Sequence, residues 1–256
     1  MDLVLDIGNT ALKIIKVINS TGVDFKRYSL HDFETFKTYF ADIPDLDAVY
    51  IGSVNQEYFD KVTRFFIEKS IQYHTLNEFH RHEIEYDEEI NKDEVGFDLI
   101  ADVKAARSKF ETAILVIDAG TITKFLLIDE GGIYRGASFL LGIKEQIQII
   151  QAKLPHLFKQ GLNIHENFEL AAKNTNDCFV SGIFGPVAGM TALLYGNYCL
   201  DYRKTPKVII TGGNGEMIYQ FLTKNLTDFG DIITYDEFLT LKGIYFCFKG
   251  EKKFDA

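Results

Sequence analysis

The strongest constraint on what this chain can fold into is a pattern that occurs twice. Residues 3–32 read LVLDIGNTALKIIKVINSTGVDFKRYSLHD, and from Ile114 the chain reads ILVIDAGTITKFLLIDEGGIYRGASFLLG. Each copy is an apolar strand ending in Asp-x-Gly, then a small polar turn, a lysine (Lys13, Lys124) and a second apolar strand. A Gly-containing turn, NSTG or DEGG, leads to a third strand. Solenoid repeats recur every roughly 20 to 50 residues, so copies this far apart predict a duplicated domain instead.

The segments between the copies fit the same plan. In DFETFKTYF, Phe33, Phe36 and Phe40 have helical spacing behind Asp32 as N-cap. AVYIGSV reads as a buried strand, NQEYFDKVTRFFIEKS as an amphipathic helix, IQYHTL as a strand and FDLIADVKAARSKF as a helix. In the second half IKEQIQIIQAKL is a helix, and NDCFVSGIFGPVAGMTALLYGNYCL is a long helix expected to break or kink at Pro186. KVIITGGNGEMIYQFL reads as strand, glycine turn and helix, and DIITYDEF and LTLKGIYFCFK close the chain. The expectation is an α/β fold of two mixed sheets with helices on both faces. No Pro-rich or Ser-rich linker marks a boundary. It is placed between Lys109 and Thr112, giving domains 1–112 and 113–256.

Composition narrows the partners. The net charge is -10, from 27 basic and 37 acidic residues, which disfavours a nucleic-acid binder. Cys178, Cys199 and Cys247 form no CxxC and read as free thiols of a reducing compartment. The start MDLVLDIGNT lacks a basic n-region, and no apolar run is expected to reach the roughly 20 residues that span a bilayer. A soluble, cytoplasmic protein without membrane or nucleic-acid partners is expected. The segment 83–94, EIEYDEEINKDE, carries seven acids and one lysine; it reads as a solvated loop or as a rim over an active site. HRHE at 80–83 reads as charged surface rather than a zinc site.

Asp-x-Gly turns at the ends of two sheets would face each other across a cleft, a common place for ligands. Gly8 and Gly120 let backbone N–H groups approach phosphate oxygens, and Thr10, Thr121 and Thr123 add hydroxyl donors. Lys13 adds charge. A carboxylate at Asp6 would repel phosphate directly and is better read as holding a cation or its water. TGGNGE, Thr211 to Glu216, ends a strand and opens a helix. It is either a tight turn or a close approach to a nucleoside.

The paired turns and the late Thr-Gly-Gly resemble the superfamily of acetate and sugar kinases, actin and chaperone ATPases. More closely, five segments in order resemble type III pantothenate kinases: DIGNTALK (6–13), VGFDLIADVKAA (95–106), DAGTITK (118–124), KNTNDCFVSGIFG (173–185) and VIITGGNG (208–215). The resemblance implies duplicated ribonuclease H-like, actin-like ATPase domains. It implies phosphorylation of pantothenate by ATP, the first step of coenzyme A synthesis, with Mg²⁺ and a monovalent cation, potassium or ammonium. By position, Asp6, Ile7, Gly8, Asn9, Thr10, Ala11, Leu12 and Lys13 would bind ATP phosphates, with Thr121, Gly212 and Gly213 also on the nucleotide. Asp98 would be the general base. Asp118 would bind the monovalent cation, with Asp6 also on the metal side. Gly96, Phe97, Asp98, Leu99, Thr175 and Tyr86 would form the pantothenate site. Family members are homodimers, and Gly182, Gly185 and Gly189 give the long helix a small-residue stripe for close packing, either within the chain or with a second copy.

The chain departs from the family pattern on the acceptor side. Leu99 stands where the family has an arginine able to pair with the pantothenate carboxylate, and Leu141 stands where it has a proline. Tyr86 is the tyrosine nearest the expected position, and Arg107 and Lys104 are the basic residues at hand to replace the arginine. Asp102 lies one helical turn beyond Asp98, on the same face, as an alternative base outside the motif. Two other readings stay open: a kinase of another small hydroxylated acceptor, and a non-catalytic nucleotide-binding regulator like the Bvg accessory factor relatives of the family.

Overall fold

The computed structural model describes residues 1–19, 21–41, 43, 46–165, 169–202, 205–226 and 231–250. They form two compact units: Met1–Lys109 together with the chain from Phe238 onward, and Phe110–Glu237.

In the first unit β1 (Asp2–Ile7), β2 (Ala11–Ile18) and β3 (Thr21–Ser29) form an antiparallel meander. β4 (Ala48–Ser53) and β5 (Tyr73–Thr75) add on parallel, giving the order β3-β2-β1-β4-β5. The central strand β1 is buried on both faces from Leu3 to Ile7, which its nearly unbroken apolar run predicts. On one face Leu3, Leu5, Ile7, Val49 and Ile51 meet α1 (Phe33–Ala41) and α2 (Gln56–Glu68). Phe36 and Phe66 are fully buried there, and Phe36 lies 4.9 Å from the Phe40 ring and 6.2 Å from that of Phe66. Burying each such side chain contributes about 1.5–3 kcal/mol. Asn55 caps α2 by accepting the Tyr58 N–H at 3.1 Å, worth about 1 kcal/mol.

The other face of that sheet is covered by α7 (Leu239–Lys249), against which α3 (Phe97–Lys109) packs. The Tyr50 ring lies 5.9 Å from Tyr245 and 5.0 Å from Phe248. This corrects the expectation that residues 113–256 form one domain: the last helix completes the first unit. Its burial explains the destination, because Leu239, Leu241, Ile244, Tyr245, Phe246 and Cys247 are all buried. Burial pushes the Cys247 thiol up to about 12.

The second unit repeats the meander in β7 (Ile114–Ala119), β8 (Ile122–Ile128) and β9 (Ile133–Leu141), with β10 (Lys207–Thr211) and β11 (Ile233–Tyr235) parallel to β7. Leu115, Ile117 and Ala119 pack with Val180, Ile183, Phe184 and Val187 of α5 (Thr175–Tyr202) and with Ile218, Phe221 and Leu222 of α6 (Gly215–Asn225). Two successive helices, α4 (Ile143–Lys153) and α5, stand where the first unit has α1 alone.

Helix α5 runs through Pro186 without the expected break. The carbonyl that loses its donor belongs to Gly182, an exposed residue. The sequence expectation about apolar runs also needs correction: Thr175–Cys199 is long and apolar enough, by length and composition, to cross a membrane. A core helix passes the same test, and α5 supplies Val180, Ile183, Phe184 and Val187 to the core of the second unit.

The α3/α7 contact brings two helix backbones close together. A Cβ on Gly243 would lie 1.8 Å from the Ala101 carbonyl oxygen. Gly243→Ala is expected to destabilise the protein by about 3 kcal/mol through forced separation of the helices, read as a lower denaturation midpoint in urea. An unchanged midpoint would refute this contact.

Candidate active site

The two copies of the repeat carry the same charge pair. Asp6 and Lys13 are cross-strand partners in β1 and β2, and the Lys13 ammonium donates to Asp6 Oδ2 at 3.0 Å. Asp118 and Lys124 are partners in β7 and β8, joined at 2.6 Å. All four side chains are largely withdrawn from water. Lys13, expected to offer its charge to phosphate, therefore meets a carboxylate of its own hairpin.

Within 6–13, Ile7, Ala11 and Leu12 are buried in the sheet and have only backbone to offer. The turn is closed by the Gly8 N–H donating to the Ala11 carbonyl at 3.0 Å. Asn9 and Thr10 are exposed at its tip. They are the side chains of this stretch that solvent reaches most freely.

In the second unit the glycine turn after β10 lies against the Asp118 turn. Gly212 has φ +90, and a Cβ there would lie 2.6 Å from Asp118 Oδ1 and 2.7 Å from the Ala119 backbone nitrogen. Only glycine combines that dihedral with that proximity. The Asn214 N–H donates to the Ala119 carbonyl at 2.9 Å, and its side-chain amide donates to the Gly120 carbonyl at 3.3 Å. Asp118, Gly120, Gly212 and Asn214 thus form one cluster, beside the exposed Gly213. Thr121 stands at the mouth of the same turn, where its carbonyl accepts the Gly142 N–H at 2.8 Å. Three buried oxygens, Thr123 Oγ1, Thr211 Oγ1 and Asn214 Oδ1, have no hydrogen-bond partner among the described residues. Buried polar atoms normally have partners, and Thr211 is the register partner of Asp118. Sequence reasoning did not single out Asn214; its signal was an amide directly after Thr-Gly-Gly at a helix start.

Asp98 lies in the first turn of α3, partly exposed. Its Oδ1 accepts the Leu99 N–H at 2.9 Å, and a Cβ on Gly96 would sit 2.5 Å from that oxygen. This explains the Gly-x-Asp spacing: the carboxylate folds back over the space a side chain would fill. Leu99 itself is only 6% exposed. A cavity of about 300 Å³ opens beside Phe97, lined also by Ser53, Asn55 and Phe59. Tyr86, in the short strand β6 (Glu85–Tyr86), is half-buried; burial raises its phenol to about 12, so it stays protonated. Thr175 is exposed at the start of α5, in the second unit.

Several side chains have structural roles. Asp102 is fully buried and accepts the Thr240 hydroxyl at 2.7 Å, tying α3 to α7, so it is not placed to meet a substrate. Lys104 pairs with Glu83 at 3.2 Å. His80 closes a capping box with Asn77. Among the described residues no group of three or more His, Cys, Asp or Glu is arranged to hold a metal.

Comparison with known proteins identifies the family and the fold. The family model of type III pantothenate kinases matches residues 2–196. A type III pantothenate kinase from Listeria monocytogenes is 31% identical over 165 residues, 63% of this chain and 59% of the relative's length. Among solved structures, a Baf family protein from Campylobacter jejuni superposes with TM-score 0.61 at 19% identity, covering 96% of this chain and 97% of its own. A 2-dehydro-3-deoxygalactonokinase candidate from Sinorhizobium meliloti superposes with TM-score 0.60 at 12% identity, covering 96% and 95%. The fold is that of the actin-like ATPases and sugar kinases, and the chain belongs to the type III pantothenate kinase family.

Proposed function

We propose that the protein transfers the γ-phosphoryl group of ATP to the primary hydroxyl of pantothenate, giving 4′-phosphopantothenate and ADP in the first step of coenzyme A synthesis. The observation that carries this reading is the Asp98 carboxylate, held at the start of α3 over Gly96 and partly open to solvent. It would take the proton from the hydroxyl as that oxygen bonds to the γ-phosphorus and the bond to the β-phosphate oxygen breaks. Such transfer needs positioning and charge neutralisation more than covalent help.

The exposed Asn9 and Thr10, with the Gly8 turn, would contact phosphate oxygens, as would Thr121. Gly212 and Gly213 would let the nucleoside approach the backbone. Mg²⁺ would neutralise charge on the phosphates; it is commonly held by one or two carboxylates plus waters, a role Asp6 fits without a larger acidic cluster. The monovalent cation, potassium or ammonium, is assigned to Asp118. The unpartnered oxygens of Thr211 and Asn214 at the same turns support this, because such cations take oxygen ligands. Tyr86, Gly96, Phe97 and Thr175 are assigned to pantothenate. A homodimer is supported by α5, where Gly182 and Gly189 are exposed with open space at the Cβ position and Leu193 is 60% exposed. A cytoplasmic setting goes with this reading.

One observation favours a second reading. Leu99 is apolar and buried where the family carries an arginine, so it offers nothing to the acceptor's carboxylate. A small hydroxylated acceptor without that carboxylate fits the same base.

ADP release from ATP with magnesium and potassium is expected to depend on pantothenate, and Asp98→Asn is expected to abolish it while nucleotide binding persists. Absence of stimulation in a protein that binds ATP would favour the other acceptor or a regulator, and full turnover by Asp98→Asn would remove Asp98 as the base. Gly96→Ala is expected to leave the melting temperature within a few degrees, since only a flexible carboxylate must move, yet to lower kcat at least tenfold. Wild-type kcat in that variant would contradict the role of the folded-back carboxylate. Replacing potassium with sodium is expected to lower activity, and Asp118→Asn to erase the difference. Equal rates of the wild-type protein in both salts would overturn the cation assignment.

A further inference from the structure

We infer that Arg81, in the HRHE stretch, is the positioning residue for Asp98: its guanidinium clamps the acidic segment that leads into α3 and so sets where the base stands. This rests on the reading of Asp98 given above.

Arg81 sits in a 3₁₀ turn (Glu78–Glu83), with its side chain 12% exposed. Its Nη1 donates to the carbonyls of Lys92 and, at 2.7 Å, Val95. Its Nη2 donates to the Asp93 carbonyl at 3.3 Å and to Glu78 Oε1 at 3.4 Å. Its Nε donates to Glu78 Oε2. The guanidinium carbon lies over the Phe97 ring, 5.0 Å from its centroid. One side chain thereby grips Lys92, Asp93, Val95 and Phe97, and Asp98 is the next residue.

The chemistry explains why an arginine stands here. Residues 83–94 carry seven acids and one lysine, so the segment repels itself and has little apolar surface to hold it down. Three carbonyl bonds within four residues, from a rigid planar fork, fix it where a point charge could not, and the cation also lies over an aromatic ring. The one lysine works the same way on a smaller scale, its ammonium 5.2 Å from the Tyr86 ring centroid. Three of Arg81's N–H groups serve this clamp and the other two hold Glu78 of its own turn, so all five are engaged. Arg81 therefore does not serve as the carboxylate ligand missing at Leu99.

Two measurements test the assignment on the full chain. In Arg81→Met and Arg81→Lys, amide hydrogen exchange at Val95–Ile100 is expected to quicken at least tenfold, while amides of β1 and α2 keep their wild-type protection. Unchanged exchange at Val95–Ile100 would overturn the clamp, whatever the enzyme's substrate. With pantothenate, both variants are expected to lose at least tenfold in kcat, while the KM for ATP stays within twofold and the melting temperature of Arg81→Lys stays within a few degrees. Loosened amides with wild-type kcat would overturn the positioning role. A wild-type protein inactive on pantothenate would sink the proposed function alone, leaving hydrogen exchange to decide the clamp.

Discussion

A carboxylate at the end of a strand buried on both faces must meet a cation, and this requirement organises both units. Asp6 and Asp118 close the central strands, and each is answered from the adjacent strand by Lys13 or Lys124. Because the partners are register neighbours, the ion pair and the hairpin fix one another: a one-residue slip would turn the lysine to the other face. The glycine turn beyond each pair is then held at a set height above the sheet. In the second unit the turn after β10 is built onto it, through Gly212 and Asn214. The largely buried setting keeps such pairs from being screened as surface pairs are.

Much of the fold was legible because periodicity and turn chemistry are local. The two meanders followed from apolar runs interrupted by Asp-x-Gly, and α1, α2, α3, α4 and α6 from spacing. The destination of the last helix was not legible. LTLKGIYFCFK is apolar nearly all round, which says that it is buried but not against which sheet. The contact that decides it, Gly243 on Ala101, joins residues far apart in sequence. Pro186 misled for a related reason: the cost of a helix proline depends on the surroundings of the carbonyl four residues back, which here belongs to the exposed Gly182.

The site was legible by element more than by role. Asp98 and Gly96 were picked out by the resemblance to the family's Gly-x-Asp motif, but the reason for the glycine appears only in three dimensions, as the space occupied by the carboxylate. Lys13 was read as a free charge because sequence does not display strand pairing. Arg81 was read as part of a solvated loop because neighbouring histidines and acids mark a surface, whereas its fork reaches carbonyls 11 to 14 residues away. Asp102 shows the converse: one turn from Asp98 on the same helix, it is sealed against Thr240.

The return of the final helix to the first unit has a consequence for how the chain is made. Residues 110–237 form a compact unit whose strands and helices all leave the ribosome before the last helix does. The first unit waits, with one side of its sheet lacking the cover of α7, until the segment ending at Lys249 emerges. During vectorial synthesis the part made first is therefore the part completed last, and Val4, Tyr50 and the α3 surface around Ala101 are the apolar ground that must be kept from other chains in the interval.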